Sequence, residues 1–142
     1  MKDEYGGAAL AYIGDAVTGL WVRELLLSHG ITKTSVCSEL AVSFVSAKAQ
    51  SEAYENIRDA LTEEEHDTYR RGRNAHVTVP KSATSGEYHS ATGFEALFGA
   101  LWLDGQRERA DELLTLAYKD KISELEARGA GADAGRGTHH EG

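Results

Sequence analysis

Asp15 and Glu95 are the residues of this sequence best suited to chemistry. Each interrupts a nearly unbroken apolar run, Ala8-Ala-Leu-Ala-Tyr-Ile-Gly-Asp-Ala-Val17 and Gly93-Phe-Glu-Ala-Leu-Phe-Gly-Ala-Leu-Trp-Leu103. An ionised carboxylate in an apolar setting is costly unless it is paired, metal-bound or protonated. At helical spacing Asp15 faces Ala11, Tyr12, Thr18 and Gly19, and Glu95 faces Ala91, Thr92, Phe98 and Gly99, so neither has a Lys or Arg one turn away. The compensating charge must come from elsewhere in the fold or from an ion. Glycine or alanine one helical turn from each carboxylate leaves room for helices to approach closely with a small ion between them, and an all-oxygen pair suits Mg²⁺. Two structural readings compete: Asp15 after Gly14 fits a helix N-cap, and Thr92-Gly-Phe-Glu95 fits a capping box.

The chain that must position this pair has 142 residues, 41% apolar and 27% charged with a single proline, which is one globular domain's worth. No segment reaches the length of an uncharged membrane span, and Met1-Lys-Asp-Glu-Tyr-Gly-Gly7 does not resemble the start of a signal peptide, so the expected address is the cytoplasm. The lone Cys37 cannot form an internal disulfide. The six histidines show no zinc-binding spacing, and neither a nucleophile elbow nor a phosphate-binding glycine loop is present.

A net charge of −8 argues against nucleic-acid binding, but its distribution argues for it. Thr68 to Gly86 contains no acidic residue while Arg70, Arg71, Arg73 and Lys81 are basic and His76 can add charge. Such an island can neutralise phosphates locally on an otherwise acidic body. A solvated helix end followed by a loop would look the same.

Helical periodicity dominates, and the fold expected is all-α. Leu10, Ile13, Val17, Leu20, Trp21 and Leu25 form one stripe, with a second line through Ala8, Ala11, Val22 and Leu26, which reads as a central helix stopping near Gly30. Thr32 or Thr34 can cap a second helix through about Gln50, followed after a bend by Glu52 to Leu61. Thr62-Glu-Glu-Glu65 is a capping box for a short helix ending near Gly72. Asn74 to Ser90, with Pro80, is the one long loop. The helix carrying Glu95 should break at Gly105, and Gln106 to Arg128 reads as one final amphipathic helix. The expected organisation is therefore a single domain over 1–128 and a disordered Gly/Ala-rich tail over 129–142.

Five ordered segments, Leu10-Ala-Tyr-Ile-Gly-Asp-Ala-Val17, Val45-Ser-Ala-Lys-Ala-Gln50, Arg70-Arg-Gly-Arg-Asn-Ala75, Val79-Pro-Lys81 and Thr92-Gly-Phe-Glu-Ala-Leu97, resemble the Mini-III ribonucleases. These form the short branch of the ribonuclease III family that lacks a double-stranded-RNA-binding domain. The resemblance covers about Leu10 to Leu114. It implies an all-helical, homodimeric endonuclease that cuts double-stranded RNA with Mg²⁺, or Mn²⁺ as a substitute, and leaves 5′-phosphates and short 3′ overhangs. The family's signature carboxylate falls on Asp15 and its second-motif glutamate on Glu95, which makes these two the implied catalytic and metal-binding residues.

The resemblance also implies structured ribosomal-RNA precursor, particularly the paired ends of the large-subunit (23S) precursor, as substrate, with a ribosomal-protein helper as a further partner. Double-stranded RNA is read by shape, through phosphates and 2′-hydroxyls. Lys48, Gln50, Arg70, Arg71, Arg73, Asn74 and Lys81 are the RNA-binding candidates, since cations neutralise phosphates and amides reach hydroxyls. Ribonuclease III at large carries a glutamate where this chain has Ala11 and an aspartate where it has Thr92; the Mini-III branch resembles this chain at both places. His76 stands where the branch tends to carry lysine. A catalytically silent RNA-binding or ribosome-assembly module on the same scaffold is the competing function, and a purely structural dimer in which both carboxylates pair with arginines is a third.

Overall fold

The structure, a computed structural model, describes residues 2–136 and is helical throughout, with no strand among the described residues. A single 3-10 turn, Lys2–Glu4, leads into α1 (Gly7–Ser28), α2 (Thr34–Val45), α3 (Ala47–Ile57), a 3-10 turn Arg58–Ala60, α4 (Glu63–Arg73), α5 (Ser85–Leu103), α6 (Arg107–Ala117) and α7 (Lys119–Arg136). No helix among the described residues is long and apolar enough to cross a membrane.

α5 is the central element. It packs most extensively on α1 and is flanked by α4 and α3. Phe94, Leu97 and Phe98 of α5, Val22 and Leu26 of α1, Ile57 of α3, and Leu113 and Leu114 of α6 are almost fully buried and form one core. Full burial of such a side chain stabilises by roughly 1.5–3 kcal/mol. Tyr118 seals the core from below, its hydroxyl donating to the Phe44 carbonyl at 2.7 Å. Glu65, 7% exposed, is held by a two-pronged bond from Arg109, with Nε to Oε2 at 2.9 Å and Nη2 to Oε1 at 2.8 Å, which fastens α4 to α6. Lys2 bridges Glu64 and Asp104 and ties the N-terminal turn to α4 and the end of α5.

Several boundaries differ from the sequence reading, each for a local reason. The helix expected through Gln50 breaks at Ser46, whose side chain accepts from the Ala49 amide and caps α3, so the bend precedes Gln50; the residue capping α2 is Lys33, without a side-chain bond. Thr92–Glu95 is not a capping box, because Thr92 lies inside α5 and its hydroxyl donates to the Tyr88 carbonyl at 2.9 Å. The box that starts α5 is Thr84–Glu87, which shortens the long loop to residues 74–84. Asp15 likewise lies within α1 and caps nothing. The final helix is two helices, interrupted at Tyr118, and α7 continues past Arg128 to Arg136; the rest of the expected tail lies outside the described residues. The Thr62 capping box and the stop at Gly105, φ 74°, are as expected.

Candidate active site at the crossing of α1 and α5

Asp15 and Glu95 come together because their helices touch backbone to backbone. A Cβ placed on Gly14 would sit 1.7 Å from the Glu95 carbonyl oxygen, and one on Gly99 would sit 2.0 Å from that of Leu10. Only glycine permits this approach, and it sets the residue after Gly14 directly beside Glu95. Thr18 stiffens the segment by donating to the carbonyls of Gly14, at 2.9 Å, and Asp15, at 3.2 Å. From the other side, Gln50 of α3 donates Nε2 to Glu95 Oε2 at 3.4 Å.

Asp15 is exposed, against the expectation of an apolar burial. The residues that make its sequence neighbourhood apolar, Ala8, Tyr12 and Ala16, are exposed with it, because an apolar run does not fix which side of a helix faces the core. Glu95 is half-buried, and its carboxyl is pushed up to about 8 by burial first, then by the charge of Asp15 and the hydrogen bond it shares with Asp15, with Gln50 pulling the other way. Burial and Glu95's charge also push the Tyr118 phenol upward. Among the described residues no Lys, Arg or His pairs with either carboxylate. A structural dimer scaffold with intrachain arginine partners for them is therefore not what the fold builds.

Two adjacent carboxylates without a cation cannot both ionise cheaply, and a dication relieves the repulsion. The donor set fits Mg²⁺, which takes one or two carboxylates and fills its shell with waters and phosphate oxygens. No group of three or more His, Cys, Asp or Glu among the described residues offers a more enclosed metal site.

The remaining candidates divide into three groups. Gln50 is 2% exposed and bonded to Glu95, which corrects its assignment as an RNA contact: it packs behind the acidic pair instead. Arg70 pairs with Asp67 one turn back, and Arg71 donates to the Tyr5 carbonyl and lies 3.9 Å from Asp3, so both are occupied by local structure. Lys48, Arg73 and Lys81 are exposed and form no ion pair among the described residues. Asn74 ends α4, its amide bonded to the Arg70 carbonyl, and its Oδ1 accepts from Arg73 Nε at 3.3 Å. Sequence reasoning missed His89, which shares a concavity with Arg73, Asn74 and His76. No local pattern signals that contact, since it is made between α4 and α5.

The family model of the Ribonuclease III domain matches residues 8–106, a span that includes Asp15 and Glu95. The chain is 44% identical over 129 residues to the Mini-ribonuclease 3 of Enterococcus faecalis, covering 87% of this chain and 97% of that one. It is 47% identical over 109 residues to that of Symbiobacterium thermophilum, covering 76% and 84%. A crystal structure of a protein from Fusobacterium nucleatum superposes with a TM-score of 0.77 at 32% identity, covering 84% of this chain and 93% of that one. With its single all-helical domain and its glycine-tight pairing of two motif carboxylates, the chain belongs to the ribonuclease III family, among the Mini-ribonuclease 3 proteins.

Proposed function

We propose that this ribonuclease III-family endoribonuclease hydrolyses double-stranded RNA in a Mg²⁺-dependent reaction at the Asp15–Glu95 pair. The observation that carries the reading is the uncompensated carboxylate pair itself, half open to solvent where α1 crosses α5. Asp15 and Glu95 would hold the ion, with Mn²⁺ as a substitute, and Gln50 would orient Glu95 toward it. When bound, a divalent ion supplies Lewis acidity toward a phosphodiester and lowers the cost of deprotonating water. Glu95 holds a proton near neutral pH without a cation and gives it up when one arrives, so ion binding is coupled to proton release. Lys48, Arg73, Asn74 and Lys81 contact phosphates and hydroxyls of the duplex, with Arg70 and Arg71 contributing at longer range.

The products expected are 5′-phosphorylated strands with short 3′ overhangs, which require two active centres acting across the duplex. A homodimer supplies them. Its support here is that α1, which carries Asp15, leaves Tyr12 80%, Leu20 49% and Leu27 56% exposed, more large apolar surface than one helix of a monomer ordinarily presents to water. The large-subunit ribosomal-RNA precursor in the cytoplasm, with a ribosomal-protein helper, is the physiological substrate we infer. Incubation with long double-stranded RNA, with and without Mg²⁺, tests the activity. Binding without cutting would favour a silent RNA-binding or assembly module.

A further inference from the structure

α1, α6 and α7 leave an open groove of about 370 Å³ between them, floored by the half-buried Trp21, Leu25 and Ile122 and rimmed by the exposed Glu24 and Asp111. Trp21 is held in place from two sides. Its ring stacks on Tyr118 with centroids 5.7 Å apart, and its Nε1 donates to Asp111 Oδ1 at 2.9 Å. The rim is acidic without compensation. Glu24 forms no ion pair among the described residues, and neither does Glu108, exposed one turn before Asp111 on α6. No Lys, Arg or His among the described residues lines the groove. The cations closest to it in sequence are engaged elsewhere: Arg23 on the Gly19 carbonyl at 3.0 Å, His29 Nδ1 on that of Leu25, Arg107 over the Trp102 ring, Arg109 on Glu65 and Glu112, and Lys121 over the Phe44 ring. On α7 the exposed Lys119 and Glu126, one turn to either side of Ile122, offset one another.

We propose that this groove docks a cationic amphipathic helix of a partner protein, its apolar residues seated on Trp21, Leu25 and Ile122 and its Lys or Arg side chains facing Glu24, Glu108 and Asp111. An amphipathic helix laid in an apolar groove is a recurring mode of peptide recognition, and a fixed tryptophan is the kind of anchor on which such contacts centre. The charge selects the occupant: three carboxylates without cations repel phosphate and attract a basic face, so RNA does not belong here and a basic segment does. A second copy does not supply the complement, because among the described residues its exposed large apolar side chains, Tyr5, Tyr12, Leu20, Leu27 and Val42, all lie outside the basic stretch 70–81. The groove is also clear of the acidic pair. Trp21, Glu24, Leu25 and Ser28 occupy the side of α1 turned roughly 140° from the one that carries Tyr12, Asp15 and Leu27, and Glu24 lies roughly 13 Å of helix rise beyond Asp15. A partner seated here leaves Asp15 and Glu95 accessible.

The probe is a synthetic helical peptide of leucine and lysine with the leucines on one face, titrated into the full-length chain. Of the two tryptophans, Trp21 lines the groove and Trp102 does not, so NMR should show the Trp21 indole N–H shifting on saturable binding while that of Trp102 stays in place. A peptide of the same composition with the leucines scattered should bind about tenfold more weakly. The double charge reversal Glu24→Lys with Glu108→Lys should weaken the patterned peptide about tenfold, the loss expected for two exposed charge contacts, and Ile122→Ser by a similar factor. Glu39→Lys with Glu63→Lys makes the same change of net charge away from the groove and should leave binding within about twofold. The exposed glutamates can be exchanged without touching the core, and the indole shifts use the wild-type protein, so the outcome does not hang on one variant folding. No shift of Trp21, equal binding of the scattered peptide, or equal loss from the two charge reversals would overturn the proposal, the last by reducing it to attraction between a basic peptide and an acidic body. Conversion of a dimer to a monomer by the peptide would overturn it in favour of a contact between copies of this chain. Cleavage of duplex RNA by Glu24→Lys with Glu108→Lys at the wild-type rate is expected, which keeps this result separate from that of the nuclease assay.

Discussion

Glu95→Gln should abolish cleavage and stabilise the protein at the same time, with the stabilisation depending on pH. In the native protein the Glu95 carboxyl is raised from 4.5 to about 8, mainly by burial and then by Asp15. Between these values the folded state keeps a proton that the unfolded chain has released, so wild-type stability falls as pH rises through the window, and the whole penalty is in place above about 8. At about 1.4 kcal/mol per unit the shift corresponds to at most roughly 5 kcal/mol, and the exposed flank of Asp15 lets solvent screen it to about 2 kcal/mol. Glutamine keeps the acceptor for Gln50 and offers Asp15 an N–H donor, without titrating. For a domain of this size that gain raises Tm by about 6 °C near pH 8, and by almost nothing near pH 4. Thermal melts of both proteins across this range in chelator, alongside cleavage assays in Mg²⁺, give the answer. Parallel melting curves at every pH, or a less stable variant at alkaline pH, would refute the argument that Glu95 is strained by burial beside Asp15.

Three further outcomes follow from other contacts. Gly14→Ala should destabilise by roughly 3 kcal/mol or more and lower activity, because the new methyl meets the Glu95 carbonyl and α1 must back away from α5; a wild-type Tm and rate would show that the crossing is not tight. Arg109→Met should cost about 2 kcal/mol at neutral pH by leaving the buried Glu65 carboxylate without its partner. Arg109 holds the Glu65 carboxyl below its ordinary range, so this stabilisation is present above about 4.5 and fades as pH falls through the depressed value, and urea melts near pH 3 should show a smaller gap than at pH 7. Arg73→Ala should flatten the salt dependence of RNA binding by about one counterion, while Arg70→Ala, already paired with Asp67, should change it less; equal slopes for the two would remove the distinction drawn from their ion pairs.

The acidic pair was legible in the sequence because Asp15 and Glu95 stand out within apolar runs beside glycines, and the fold uses those glycines as the contact. Which face each carboxylate presents was not legible: periodicity sees one chain, and Ala8 and Leu20 lie on the apolar lines of α1 until the packing leaves them outside. The Thr62 box and Gly105 marked their boundaries because capping is decided within a few residues. Ser46 interrupts a continuous apolar pattern by a local cap on the Ala49 amide, whereas Tyr118 sits between α6 and α7 with its side chain buried in the core and its hydroxyl on the Phe44 carbonyl, a contact no local pattern announces. The same holds for Gln50, whose bond to Glu95 joins α3 to α5, and for His89, whose neighbours come from α4.

The central claim, that Asp15 and Glu95 make a metal-dependent centre for cutting duplex RNA, is tested most directly by incubating long double-stranded RNA with wild type and Asp15→Asn, in Mg²⁺ and in chelator, and mapping the product ends. The account predicts 5′-phosphorylated staggered fragments from the wild type in Mg²⁺ alone, and intact RNA in the other three reactions. Cleavage by Asp15→Asn at the wild-type rate, or by the wild type in chelator, would contradict it.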